Sequence, residues 1–127
     1  MTRAVLDATA VLTLVHDEPG ASDVTLWVAE GVVNAVNLAE VVGKLLDAGM
    51  PERPAVAAIE GLALDIVAFD AAMAVRAGTL RPTTRPLGLT LGARVCLATA
   101  QELDLPVITA DRAWLELEIE VPIHVVR

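Results

Sequence analysis

The feature that most constrains this chain is a short apolar run that recurs, each time ending near a polar residue and leading into a helix-compatible stretch. Ala4-Val5-Leu6 ends at Asp7, Val32-Val33-Asn34-Ala35 leads to Asn37, and Pro106-Val107-Ile108-Thr109 leads to Asp111. Runs this short and this apolar suit strands buried on both faces, since neither side needs a water-facing residue. Strands alternating with helices imply a parallel sheet covered on both faces. An α/β fold with a parallel sheet of about five strands is therefore expected.

The segments between the runs carry their own punctuation. Ala8 to Val15 predicts a helix stopped near Pro19-Gly20, and Ala21 to Ala29 a second one closed by Gly31. Asn37 stands where a helix N-cap is expected, with Glu40 three residues on, the spacing of a capping box. That helix runs to about Ala48 before Gly49, and another spans about Pro54 to Leu62. Asp65 to Phe69 predicts a strand, and Asp70 opens a helix that ends at Gly78. Thr79 to Gly88, holding Pro82 and Pro86, predicts a loop. Leu89 to Leu103 predicts a long apolar helix, Asp111 to Leu117 a short one, and Ile123 to Val126 a final edge strand.

A length of 127 residues suits one domain, taken here as residues 1–127. The core must be built from Ala, Val and Leu, because the chain is 55% hydrophobic yet only 2% aromatic. No run approaches the ~18 apolar residues needed to cross a bilayer. The first residues reach Asp7 too soon for a signal peptide, and a lone Cys96 permits no internal disulfide. A cytoplasmic protein with no membrane association is expected.

The formal charge of −8 argues against general affinity for polyanions. The charge is uneven, however. No acid lies between Asp70 and Glu102, where Arg76, Arg81, Arg85 and Arg94 give +4 and leave −12 for the rest. Such an edge could guide a phosphate backbone, or its arginines could simply be solvated.

Functional residues of parallel α/β sheets collect beyond the carboxyl ends of the strands. Asp7 ends the first strand, Glu40 lies in the first turn expected after the second, and Asp111 follows the fourth. Each could serve as a helix cap or capping-box partner. Their convergence on one rim is what points to function. Crowded carboxylates repel unless a cation or proton intervenes, and oxygen-rich sites suit Mg²⁺ or Mn²⁺. Such an ion can activate water against a phosphodiester without a Ser, Cys or His nucleophile. His16 and His124 are too far apart in the pattern to pair, Cys96 sits within an apolar helix, and no phosphate-binding loop is present. An aspartyl-phosphate mechanism lacks its second acid, because Thr9 stands there and no suitable Lys follows.

Three segments carry a family resemblance: Val5-Leu6-Asp7-Ala8-Thr9-Ala10-Val11-Leu12, Asn37-Leu38-Ala39-Glu40-Val41-Val42, and Val107-Ile108-Thr109-Ala110-Asp111-Arg112-Ala113-Trp114. With Leu91-Gly92-Ala93-Arg94-Val95-Cys96-Leu97-Ala98 between the last two, the chain resembles the PIN-domain family, especially VapC-type ribonuclease toxins. The resemblance implies a three-layer α/β/α domain and a Mg²⁺- or Mn²⁺-dependent endoribonuclease with four acids. Asp7, Glu40 and Asp111 match three of them, as catalytic and metal-binding residues. Thr9 matches the family's Ser or Thr two residues after the first acid, and with Arg94 and the Thr79–Gly88 segment is a candidate for substrate contact. A VapB-like antitoxin, an RNA substrate and a homodimer are the implied partners.

The departure is Ala93, where related sequences usually carry Asp. A methyl group binds no metal, and Glu102 and Asp104 lie more than two helical turns away. Weak metal binding and impaired hydrolysis are the expected consequences. Ala93 marks either an inactivating substitution in a nuclease or a degenerate PIN module that binds antitoxin or RNA without cutting. A different metal-dependent phosphatase or nuclease is the third reading.

Overall fold

The computed structural model describes residues 3–127. Met1 and Thr2, the first two residues of the expected domain, lie outside the described residues. The strands are β1 (Ala4–Leu6), β2 (Gly31–Asn34), β3 (Asp65–Val67), β4 (Val107–Thr109) and β5 (Ile123–Val125). The helices are α1 (Ala8–Val15), α2 (Ala21–Val28), α3 (Ala35–Asp47), α4 (Glu52–Glu60), α5 (Ala71–Thr79), α6 (Arg81–Thr84) and α7 (Leu91–Leu103). Two 3-10 turns, Arg85–Leu87 and Arg112–Glu116, complete the set.

All five strands pair in parallel in the order β3-β2-β1-β4-β5, so β5 is an edge strand as expected. Alternation within the strands divides the core into two layers. Val5 and Val107 face a cluster with Met73, Ala77, Val95 and Leu97, under α5 and α7. Leu6 and Ile108 face the opposite cluster, with Val11, Val24, Val41, Leu45 and Ile59 from α1 to α4. The chain is thus a three-layer α/β/α sandwich. Its small side chains permit this close layering, and β1 is fully buried. No helix among the described residues is long and apolar enough to cross a membrane.

Two expectations are corrected. Helix α3 begins at Ala35, and its N-cap is Asn34, whose side chain accepts from the Val36 amide at 2.9 Å. Asn37 therefore lies inside the helix and forms no capping box with Glu40. The segment Thr79–Gly88 is not a loop: it ends α5, forms α6, and turns through Arg85–Leu87 to Gly88 in the left-handed region at φ 62°. Its prolines sit in first-turn positions, where a missing N–H costs nothing.

Candidate active site

The strand order reverses at β1, which has β2 on one side and β4 on the other. Residues leaving β1 and β4 therefore meet at a switch point, where open parallel sheets form their clefts. A cleft of about 230 Å³ lies there, and Asp7, Asn37, Glu40, Ala93 and Asp111 are among its lining residues.

Asp7 is 4% exposed and caps α1. Its Oδ1 accepts from the Ala10 amide at 2.8 Å and the Thr9 hydroxyl at 2.7 Å, and its Oδ2 from the Thr109 hydroxyl at 2.6 Å. Burial pushes its pKa up from 3.8 to about 6. The bonds from Thr109, Ala10 and Thr9 oppose that rise, and the neighbouring charge of Asp111 adds to it. The buried carboxylate is thus held in place by three donors yet still prefers a proton or a cation.

Asp111 is exposed and caps the Arg112–Glu116 turn, accepting from the Ala113 amide at 3.0 Å. Thr9 and Thr109 tie the two acids together. The Thr9 hydroxyl accepts from the Ala110 amide at 2.9 Å, and the Thr109 hydroxyl accepts from the Asp111 amide at 3.1 Å. The Thr9 hydroxyl is thus bonded to Asp7 and to the Ala110 amide at the rim of the cleft.

Glu40 approaches from α3. Its Oε1 accepts from Asn37 Nδ2 at 2.9 Å, and Asn37 also donates to the Gly92 carbonyl on α7 at 2.9 Å. Glu40 lies so close to α7 that a Cβ at Gly92 would overlap its carboxylate. Ala93 is next along α7 and is one of the residues lining the cleft, its amide donating to the Thr90 cap. Glu102 is paired with Arg76 at 2.8 Å, and Asp104 caps the far end of α7, so neither takes the place of residue 93.

Arg94 is not among the cleft-lining residues. It turns towards α5, with Nη1 3.4 Å from the Ala77 carbonyl and a buried Nε without a partner. The acid-poor segment is thus less basic in space than in sequence. Arg76 is engaged, Arg94 is directed inward, and Arg81 and Arg85 are exposed without an ion pair among the described residues. The end of the Thr79–Gly88 segment does reach the cleft, through Leu87 and Gly88.

Sequence reading missed Asn37 as a link between helices, and Thr109 as a donor. The second was readable: the register Leu6↔Ile108 carries Asp7 alongside Thr109. His124 pairs with Asp23 at 2.9 Å, away from the cleft, and Cys96 is fully buried with its thiol pKa raised well above the ordinary value by burial, Asp7 and Glu40. Neither supplies a nucleophile. The available donors are hard oxygens, chemistry that suits Mg²⁺ or Mn²⁺. Among the described residues, however, no three His, Cys, Asp or Glu side chains are grouped closely enough to cage an ion. The donor set fits an ion held by one or two carboxylates and otherwise by water, the usual habit of Mg²⁺.

A family model described as the PIN domain matches residues 4–120. No curated protein matches the chain. Among solved structures, the chain is similar to DNA-bound VapBC from Salmonella typhimurium, at 16% identity and TM-score 0.77, covering 100% of both chains. It is also similar to a toxin–antitoxin complex from Klebsiella pneumoniae, at 20% identity and TM-score 0.74, covering 98% of both chains. A third likeness is VapBC-5 from Mycobacterium tuberculosis, at 21% identity and TM-score 0.68, covering 100% of this chain and 99% of that one. These likenesses concern the fold, and the family match spans nearly the whole sequence. The chain belongs to the PIN-domain family.

Proposed function

We propose that this chain is a VapC-type toxin built on a metal-dependent endoribonuclease site, impaired because Ala93 stands where an acid is expected. The observation that carries the reading is the convergence of Asp7, Glu40 and Asp111 on one cleft with Ala93 in its wall. Likeness to chains from VapBC complexes supports a VapB-like antitoxin as partner. The net charge of −8 suits an antitoxin segment bearing arginines. A cytoplasmic homodimer acting on RNA completes the proposal.

Asp7 and Asp111 would hold a Mg²⁺ or Mn²⁺ ion, with Glu40 as the third acid lining the cleft. When bound, such an ion polarises the phosphoryl group and lowers the pKa of water. Asp7 is pre-oriented by Thr9 and Thr109, so its carboxylate needs no reorganisation to receive positive charge. Glu40, held by Asn37, is the group available to orient an attacking water and take its proton. Arg81 and Arg85 are the exposed cations on the segment that leads into the cleft wall. They are better placed than Arg94 to meet a phosphate backbone.

Restoring the missing acid tests this reading. Ala93→Asp should produce Mg²⁺-dependent cleavage of RNA well above that of the parent chain, with DNA and phosphomonoesters as comparison substrates. No gain on RNA would count decisively against a disabled ribonuclease.

The absence of a ready-made ion cage among the described residues, together with Ala93, favours one second reading: a non-catalytic PIN module that binds antitoxin or RNA. Tight metal-independent binding of a partner, with no growth arrest on expression of the native gene, would select it.

A further inference from the structure

Asn37 is 1% exposed, yet it carries an amide that no apolar packing requires. Both of its amide hydrogens are committed, one to Glu40 Oε1 and one to the Gly92 carbonyl, each at 2.9 Å. Rotating the amide by half a turn would set its oxygen against two acceptors, so the orientation is fixed by chemistry. Its Oδ1 is then left buried with no hydrogen-bond partner within the protein, although Asn37 lines the cleft. A buried orphan acceptor is costly, and one that persists in a folded chain calls for an explanation.

The geometry around the amide explains what is gained. Glu40 belongs to α3 and residue 93 to α7, and neither helix fixes the other's side chains by itself. Asn37 links them, because it grips the α3 carboxylate and the α7 backbone one residue before Ala93. Gly92 supplies the room: with any Cβ there, the Glu40 carboxylate would be displaced.

We propose that Asn37 is the positioning residue of this site, setting the Glu40 carboxylate against α7 beside residue 93. This rests on the reading of the cleft as a cation-assisted nuclease site. Asn37 acts through Glu40 and touches no reacting atom.

The test uses Asn37→Leu, which keeps the shape but removes both donors and the acceptor, in the parent chain and in Ala93→Asp. Crystal structures read the position of Glu40, calorimetric titration reads Mn²⁺ affinity, and thermal melting reports the fold. The expected result is a Glu40 carboxylate displaced from Gly92, with Mn²⁺ affinity lowered about tenfold or more, the usual effect of losing a residue that orients a ligand. Melting should be no earlier than in the parent, because an orphan acceptor is removed. Should Asn37→Leu fail to fold, Asn37→Asp replaces it. That variant keeps the polar shape but turns the donor into an acceptor facing Glu40 and the Gly92 carbonyl, so Glu40 should again leave. A Glu40 that stays at Gly92 in either variant overturns the proposal, as does unchanged Mn²⁺ affinity with Glu40 displaced. If Mn²⁺ binds neither the parent nor Ala93→Asp, the metal reading of the cleft falls. The position of Glu40 still decides whether Asn37 positions it.

Discussion

The Thr109 hydroxyl donates a 2.6 Å hydrogen bond to Oδ2 of Asp7, joining the ends of two adjacent parallel strands through a buried carboxylate. The same hydroxyl accepts from the Asp111 amide at 3.1 Å, so one threonine fixes both the first and the last acid. Thr109→Val keeps the β-branched shape and removes both bonds. It should destabilise the chain by about 1–3 kcal/mol at pH 8, the cost of an unsatisfied buried acceptor. The loss should be smaller near pH 4–5, where Asp7 is protonated, because the bond favours the charged form. Urea denaturation at the two pH values checks this, and an equal loss at both would show that the bond does not serve the ionised carboxylate.

That relationship shows how far the sequence was legible. β1 and β4 were readable because a short apolar run that stops at or near an acid fits a buried strand far better than a helix or a surface loop. The reversal of strand order then brings Asp7 and Asp111 together. The start of helix α3 is ambiguous in the sequence because Asn34 and Asn37 are both competent caps, about one turn apart. Local chemistry favoured neither. The choice follows from β2, which ends at Asn34 and leaves no residue to bridge to a later cap. The result places Asn37 on the inward face of a helix, where its contact with Gly92 joins residues far apart in sequence. No local pattern could have announced it. The prolines of Thr79–Gly88 suggested a loop because they break helices. They also start them, and here short helical turns begin around each.

Arg94 was misplaced for a similar reason, since a charge in a motif suggests solvent or substrate. Its guanidinium instead faces α5, with a long 3.4 Å bond to the Ala77 carbonyl and an unpartnered Nε. Arg94→Met keeps the long stem that packs there and removes the poorly satisfied head. Stability should change by less than about 1 kcal/mol, in either direction. Binding of a fluorescent RNA should be unaltered, whereas Arg81→Glu with Arg85→Glu should weaken it and flatten its salt dependence. A loss of RNA affinity in Arg94→Met comparable with that of the double variant would return Arg94 to the substrate path.

Gly92 offers a separation of fold from function. Gly92 is the second residue of α7, where the preference for Ala over Gly is weaker than the ~1 kcal/mol of a helix interior, so Gly92→Ala should alter local helix stability little. The added methyl group would overlap the Glu40 carboxylate, the mobile end of a flexible side chain that can swing aside. The expected outcome is a melting temperature within a few degrees of the parent. In the Ala93→Asp background, Mg²⁺-dependent cleavage should fall by at least tenfold, as a displaced catalytic carboxylate would require. Undiminished cleavage in Ala93→Asp with Gly92→Ala would mean that Glu40 has no need of its seat against α7.

Asp7 makes the sharpest prediction, because its pKa sets a direction as well as a size. Its folded pKa is raised to about 6 from an ordinary 3.8, chiefly by burial. Below pH 4 the group is protonated whether the chain is folded or not, and no charge is buried. Between about pH 4 and 6 the unfolded chain ionises first, so stability falls as pH rises. Above about pH 6 the folded state also ionises, and the full penalty is present, about 3 kcal/mol for a rise of that size. Asp7→Asn keeps an acceptor for Thr9 and Ala10 but carries no charge. It should therefore be more stable than the parent at pH 8 by about 2–3 kcal/mol, with the difference shrinking towards pH 4. Adding Mn²⁺ at pH 8 should narrow that gap by stabilising only the parent, because a cation beside Asp7 offsets the cost of its charge. Denaturant midpoints across pH 4–8, with and without Mn²⁺, give both answers. A pH-independent difference would remove burial as the cause of the raised pKa, and a gap unmoved by millimolar Mn²⁺ would leave Asp7 without a cation to hold.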